Sequence, residues 1–242
     1  MVPRAALSAG LLLQGWLITL ISFLRADLLA LPIWSLLLIV LVRTSFQTGL
    51  FITAHDAMHG LLMPGARRWN HRLGALCLSL YAGLPYGRCM RKHHRHHSHS
   101  GSAQDPDFCV DPSVGAQGWY CRFMAGYLSG SQMCRLLISW LLFGCVFSSA
   151  EPRGWINLLL VCVLPLVLSS LQLFVFGTYL PHRAQQGPEG RDGPCSLDLP
   201  GWLSLVTCFH FGYHREHHEH VHLAWFDLPS VRYSRSRQLA AS

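Results

Sequence analysis

The chain has 242 residues, 51% of them hydrophobic and only 13% charged, about half the charge density of an ordinary soluble domain, which argues against a water-soluble globular enzyme. Its formal net charge is +7, but the basic residues fall between apolar segments instead of forming a stripe with interleaved aromatics, which argues against a nucleic-acid partner. Nine cysteines are scattered without a Cys-x-x-Cys pair and read as reduced, buried thiols, not as a disulfide framework.

A membrane-crossing helix needs roughly 20 predominantly apolar residues, and four stretches approach that length. Leu7–Leu24 follows Arg4 and resembles a secretory signal, yet Arg25-Ala26-Asp27 stands where a small-residue cleavage pattern belongs. It reads as a retained first span. Leu28–Val42 follows after three residues, making a tight hairpin, and continues past Arg43 toward Gly60. Leu73–Gly87 is interrupted by Gly74, Gly83 and Pro85 and suits a half-span or interfacial helix. Leu136–Ala150 and Trp155–Leu180 form a second hairpin around Glu151-Pro152-Arg153-Gly154. Gln185–Pro200, rich in Gly, Pro and charge, reads as a loop, and Arg232–Ser242 as a frayed basic tail.

No linker or internal repeat divides the sequence, so residues 1–242 read as one membrane-embedded domain, with its basic tail over about 232–242. The expected fold is an all-α integral membrane protein: about four transmembrane helices in two hairpins, plus interfacial or cytoplasmic helices. Of the 19 Lys and Arg residues, the hairpin turns hold only Arg25 and Arg153, and Arg43 lies within a span. The positive-inside rule therefore places both termini and the histidine-rich segments on the cytoplasmic side. A helix from Leu28 to His55 is about 40 Å long, enough to carry His55 beyond the hydrocarbon on that side.

Fifteen histidines are present, and twelve fall in or beside three boxes; His71, His182 and His210 stand apart. The first box is His55-Asp56-Ala57-Met58-His59, whose i and i+4 imidazoles share a helical face. The second is His93-His94-Arg95-His96-His97-Ser98-His99, and the third is His214-Arg215-Glu216-His217-His218-Glu219-His220. Both contain His-x-x-His-His, which sets His93, His96 and His97, and likewise His214, His217 and His218, on one face of a helix. His182 ends the fourth span on the same side of the membrane and is read as a ninth ligand. His71 is read as an ordinary surface or hydrogen-bonded histidine.

Eight boxed imidazoles exceed the four ligands of a structural zinc and the three of a catalytic one, so two ions are implied. Imidazole alone does not select the metal; a carboxylate-poor, many-ligand site beside a membrane suits redox iron better than hydrolytic zinc. Ligating histidines usually donate their second N–H to an acceptor, and Asp56, Asp105, Asp107, Glu216 and Glu219 are candidates. His210, one turn before the third box, is read as a hydrogen-bond partner.

With these residues assembled, the chain resembles the membrane di-iron oxygenase and desaturase superfamily, and more closely the bacterial β-carotene ketolases. The likeness rests on Ile52-Thr53-Ala54-His55-Asp56-Ala57-Met58-His59-Gly60, on Arg91-Lys92-His93 through Ser100-Gly101 followed by Asp105-Pro106-Asp107-Phe108, on Thr178-Tyr179-Leu180-Pro181-His182-Arg183, and on Thr207-Cys208-Phe209-His210-Phe211-Gly212-Tyr213 leading into the third box. The sequence departs from that family where prolines are common near Val221 and Ala224 and where Trp225-Phe226 replaces a Trp-Trp pair.

The resemblance implies O2-dependent oxidation of the C4 methylene of a β-ionone ring to a ketone at a di-iron centre in the bacterial inner membrane. β-Carotene would give echinenone and canthaxanthin, and zeaxanthin would give astaxanthin if hydroxylated rings are accepted. Electrons would come from an external donor such as ferredoxin, because no dinucleotide fingerprint or iron–sulfur cysteine pattern is present. The same metal plan also serves carotenoid hydroxylases and fatty-acid desaturases. A metal transporter is the non-enzyme alternative, but it should carry ionisable ligands near the bilayer midplane. Leu80, Tyr81, Phe174, Phe176, Tyr179, Phe209 and Phe211 are apolar groove candidates, and no substrate-binding residue is assigned.

Overall fold

A computed structural model describes residues 3–150, 153–186 and 193–241, and every regular element among them is a helix. The first, α1, spans Arg4–Arg25. The second, α2, spans Ile33–Met58 and so starts five residues later than its apolar run. Pro32 explains the delay, since the residue before a proline is pushed out of the helical region while the proline itself suits a helix start. Leu28–Ala30 makes a single 3₁₀ turn in between.

In place of the single half-span or interfacial helix expected over 73–87, the chain forms two helices, α3, Arg67–Ala82, and α4, Tyr86–His99. Gly83 closes α3 in the left-handed region at φ +63°, which glycine adopts without strain, and Pro85 precedes α4. α3 runs antiparallel to the second half of α2: the Asn70 amide donates to the Ala57 carbonyl, and Gln47 Nε2 donates to the Tyr81 carbonyl at 2.6 Å. Close approach is possible because Gly74 has no side chain, where a Cβ would lie 2.7 Å from that of Ala57.

Two shorter connections follow through α5, Ala116–Tyr127, into α6, Gly130–Ala150. The turn residues Glu151 and Pro152 lie outside the described residues. A helical stretch of 32 residues, α7, then runs from Gly154 to Gln185, beyond the expected end at Leu180. It contains two π-helical turns, Leu159–Val163 and Val175–Tyr179, each shortly before a proline, Pro165 and Pro181. A proline has no N–H for the carbonyl four residues back. For Pro165 that carbonyl belongs to Val161, and the Arg43 guanidinium takes the place of the missing donor, with Nε 3.0 Å from Val161 O. Arg43 also donates from Nη1 to Trp16 O at 2.7 Å and to Thr19 Oγ1 at 2.9 Å. The one charge expected inside a span is thus buried and hydrogen-bonded, joining α1, α2 and α7.

Residues 187–192 of the expected loop lie outside the described residues, and the rest of it, 193–200, is irregular. Three short helices complete the chain: α8, Gly201–Cys208; α9, His214–Glu219; and α10, Leu228–Ala241. α10 corrects the frayed-tail expectation. Its first turns are tied back through Arg232 to Glu216 and Asp198, and through Arg235 to Glu219.

Leu11, Ile18, Ile33, Trp34, Leu41 and Leu142 are among the large apolar side chains exposed on α1, α2 and α6. Apolar surface on this scale needs a non-aqueous cover. Three helices, Arg4–Arg25, Ile33–Met58 and Gly154–Gln185, are long and apolar enough to cross a bilayer, and Gly130–Val146 forms a shorter apolar helix. The chain is a membrane protein. In α2 the exposed residues belong to the first half, while Leu50, Ile52, Ala54 and Ala57 are fully enclosed, so the end that carries the first histidine box sits inside the protein.

Candidate metal centre

The end of α2, the second half of α4, the end of α7 and the short α9 bring nine histidines together in two groups. His55, His59, His93, His97 and His217 form the first group, and His96, His182, His214 and His218 the second, with the candidate ligand nitrogens of each group within 4.8 Å of one another. Each His-x-x-His-His box is divided: the i and i+4 members enter one group and the i+3 member enters the other. The groups adjoin, since the His97 and His218 rings stack at 4.2 Å.

The nitrogen spacings test whether metal ions fit. His93 Nε2 lies 2.7 Å from His59 Nε2 and 3.1 Å from His97 Nε2, and His97 Nε2 lies 3.0 Å from His217 Nε2. In the second group, His214 Nε2 is 2.8 Å from His182 Nε2 and 3.1 Å from His218 Nε2, which is 3.1 Å from His96 Nε2. An imidazole nitrogen carries either one hydrogen or one lone pair, so a nitrogen with two such neighbours cannot satisfy both by hydrogen bonding. Two nitrogens bound at right angles to one ion, each at about 2.1 Å, would lie about 3 Å apart. The donor sets fit a cation in each group.

Electrostatics agree with neutral, ligand-ready rings. Burial, reinforced by His94, pushes His59 down to about 4, and burial with neighbouring imidazoles pushes His97 to about 3. His93, His214, His217 and His218 are driven down by the same two causes in the same order. His96 is the exception. Burial opposes its protonation, but the hydrogen bond to Asp105 and the charges of Asp107 and Asp105 outweigh it and raise its pKa.

Asp105 is the best-placed partner. Its two oxygens lie 2.9 and 3.0 Å from His96 Nδ1, and it also accepts from Gly101 N at 3.1 Å and Asp107 N at 2.9 Å. With its proton on Nδ1, His96 presents the Nε2 lone pair to the second group. Asp107 supports the same loop, accepting from Tyr127 Oη at 2.8 Å and pairing with Lys92 at 3.4 Å. Asp56 Oδ1 is 3.4 Å from His55 Nδ1, and its Oδ2 accepts from Trp225 N at 3.3 Å. Gln185 bonds His182 Nδ1; it escaped the sequence reading, although its i+3 spacing from His182 was available.

Two proposed partners are held elsewhere. Glu216 is fully buried, but its bonds run to Ser196 and Arg232, and Glu219 pairs with Arg235. The His210 ring stacks on Tyr213 at 5.5 Å and on Trp225 at 6.2 Å, and its Nδ1 has no hydrogen-bond partner among the described residues. His71 meets Arg67 and Tyr86, His94 and His99 meet backbone carbonyls, and His220 packs on His222.

Two cavities adjoin one another in the helix bundle. One, of about 280 Å³, is lined by Phe51, one turn before His55, and by Tyr81, Phe123, Tyr127, Leu166 and Leu173. The other, of about 660 Å³, shares Tyr81, Leu84, Leu136, Trp140 and Leu166 with it and reaches Arg43 and Trp16. Of the anticipated groove residues, Leu80 and Tyr81 line these spaces. Phe211 packs edge-on to His55 at 4.6 Å, Phe174 and Tyr179 join an aromatic cluster around Trp119, and Phe209 packs on Trp225.

A protein named beta-carotene ketolase from Paracoccus sp. (strain PC1) is 37% identical over 233 residues, covering 96% of this chain and 93% of that protein. Another of that name, from Paracoccus sp. (strain N81106 / MBIC 01143), is 40% identical over 78% of this chain and 76% of its own length. A zeaxanthin 4-ketolase from Chlamydomonas reinhardtii is 35% identical over 82% of this chain and 45% of its own. The sequence profile of the fatty acid desaturase family matches residues 26–148 and 132–242, and the chain belongs to that family.

Proposed function

We propose that this protein is a β-carotene ketolase that oxidises the C4 and C4′ methylenes of β-ionone rings at a di-iron centre, with zeaxanthin as a further substrate. The observation that carries the reading is the pair of adjoining histidine groups, in a chain whose relatives of near-equal length are named for this reaction. His55, His59, His93, His97 and His217 would hold one iron, and His96, His182, His214 and His218 the other. Bound there, the irons would supply O2 reduction and C–H oxidation, chemistry beyond the reach of acid–base side chains. Each ring needs two successive hydroxylations and loss of water: one methylene, two O2, four electrons and four protons give one ketone and three waters. An external donor such as ferredoxin would deliver the electrons.

The chain's own residues position and exclude. Asp105, Asp56 and Gln185 orient their histidines, while Phe211 packs edge-on against the His55 ring. In this reading Gly130–Ala150 is a fourth span, giving two hairpins, and the positive-inside rule applied to the basic residues at the histidine-bearing ends supports a cytoplasmic position for those ends and both termini. Residues 1–242 act as one domain.

Expression in β-carotene-producing bacteria, with extracted pigments resolved by absorption and mass, tests the reading. Echinenone and canthaxanthin are expected. Hydroxylated carotenoids or altered acyl chains in their place would make the protein a hydroxylase or a desaturase.

A further inference from the structure

Between Ala57 and Gln104 the chain carries no Asp or Glu. The one lysine there, Lys92, turns inward to Asp107 and the Tyr127 ring. Six arginines remain: Arg67, Arg68 and Arg72 on α3, and Arg88, Arg91 and Arg95 on α4. All six are exposed, and none is paired with a carboxylate among the described residues. Arginines elsewhere do find such partners, Arg4 on Asp227, Arg153 on Asp27 and Arg235 on Glu219. Like charges left without counter-charges make a surface that attracts anions.

This surface borders an opening onto the histidines. A cavity of about 430 Å³ is lined by His59, Arg67, His71, Met90 and His94. His59 belongs to the five-histidine group, its Nε2 2.7 Å from that of His93. On α4, Arg88, Arg91 and Arg95 follow an i, i+3, i+7 spacing and form one stripe. At 100° per residue, Met90 and His94 stand between that stripe and the face that carries His93 and His97. Three members of the five-histidine group, His59, His93 and His97, are half-buried, whereas His218 alone is so in the other. The five-histidine group is the more accessible of the two.

Building on the ketolase reading, we infer that this arginine face is the docking site of a soluble one-electron donor protein whose own surface is acidic. Each ketone requires four electrons, and the sequence has no dinucleotide fingerprint or iron–sulfur cysteine pattern. A separate carrier therefore delivers them, giving up one electron per visit. Docked over the opening at His59, it meets the histidine group that comes nearest to the surface. The field of the six arginines speeds the encounter and orients it. Anionic lipid headgroups would meet the same charges, but the opening onto His59 and the demand for electrons favour a redox protein.

Binding of two acidic carriers, a plant-type 2Fe–2S ferredoxin and a flavodoxin, to the full chain in phosphatidylcholine nanodiscs tests this without relying on turnover. At least one should bind the wild type, and more weakly as salt rises from about 0.01 to about 0.15 M, where the screening length falls from about 30 to about 8 Å. R91E/R95E should raise its Kd at least about tenfold and flatten the salt dependence, and R91Q/R95Q should do the same to a smaller extent. R25E, at the hairpin turn remote from the histidines, should bind like the wild type. In carrier-driven ketone formation the Glu pair should raise the half-saturating carrier concentration and leave the rate at saturation unchanged. A wild type that binds neither carrier, Glu and Gln pairs that bind like the wild type, or R25E weakened as much as they are, overturns the inference. So does a loss confined to nanodiscs containing phosphatidylglycerol, which would assign the face to lipid headgroups. Wild-type protein that binds a carrier but forms no ketone overturns the ketolase reading and leaves the docking face standing.

Discussion

Alanine at His93, His97, His214 or His218 is expected to abolish ketone formation, with a loss of at least about 100-fold, the upper range for disturbing even an outer partner of a metal ligand. Each of these imidazoles has a ring nitrogen within 3.1 Å of two others, so removing one leaves a gap in a closed set of donors. The four variants strike both groups. H93A and H97A touch the five-histidine group, whereas H214A and H218A touch the four-histidine group. Iron content of the purified variants should fall toward one ion per chain in either case, accompanied by loss of pigment conversion. H71A is the control: His71 hydrogen-bonds Arg67 and Tyr86 and lies outside both groups, so this variant should remain active. Wild-type activity in any two of the four histidine variants would contradict the ligand assignment.

The second large effect is expected from Asp105→Asn. The carboxylate receives His96 Nδ1 on both oxygens and two backbone N–H groups besides, and its pKa lies below the usual carboxylate range because the His96 hydrogen bond and charge outweigh burial. Asparagine retains one acceptor oxygen and sets an N–H₂ donor beside the imidazole. The proton is then no longer held on Nδ1, and Nε2 loses its fixed role as a lone-pair donor. Outer partners of this kind are worth about 10- to 100-fold in metal affinity. D105N should therefore retain its fold, bind iron about 10- to 100-fold more weakly, and regain part of its activity when cells are grown with excess iron. A variant that holds iron as tightly as the wild type would show that Asp105 serves only the 101–107 loop.

The sequence announced the donors but not their division. Helical spacing brings His93, His96 and His97 to one face, yet positions i+3 and i+4 flank position i about 100° apart. Only the placement of α4 against α9 decides that His96 serves one group and His97 the other. The role of Arg43 was hidden for a similar reason: its partner is a carbonyl released by Pro165, more than a hundred residues away. Local signals did better. Pro32 marks the true start of α2, and Gly83 with Pro85 marks the break between α3 and α4. Composition misled at the C-terminus, where a basic stretch forms a helix because Arg232 and Arg235 find carboxylates on neighbouring segments. Glu216 looked like a partner of the third box, but its side chain faces Ser196 and Arg232 instead.

The whole account depends on two cations held side by side by nine imidazoles from four separate helices. Elemental analysis of detergent-solubilised, ketone-forming protein measures this directly. Two iron ions per chain are expected; active protein with no transition metal, with a single ion, or with zinc alone would contradict it.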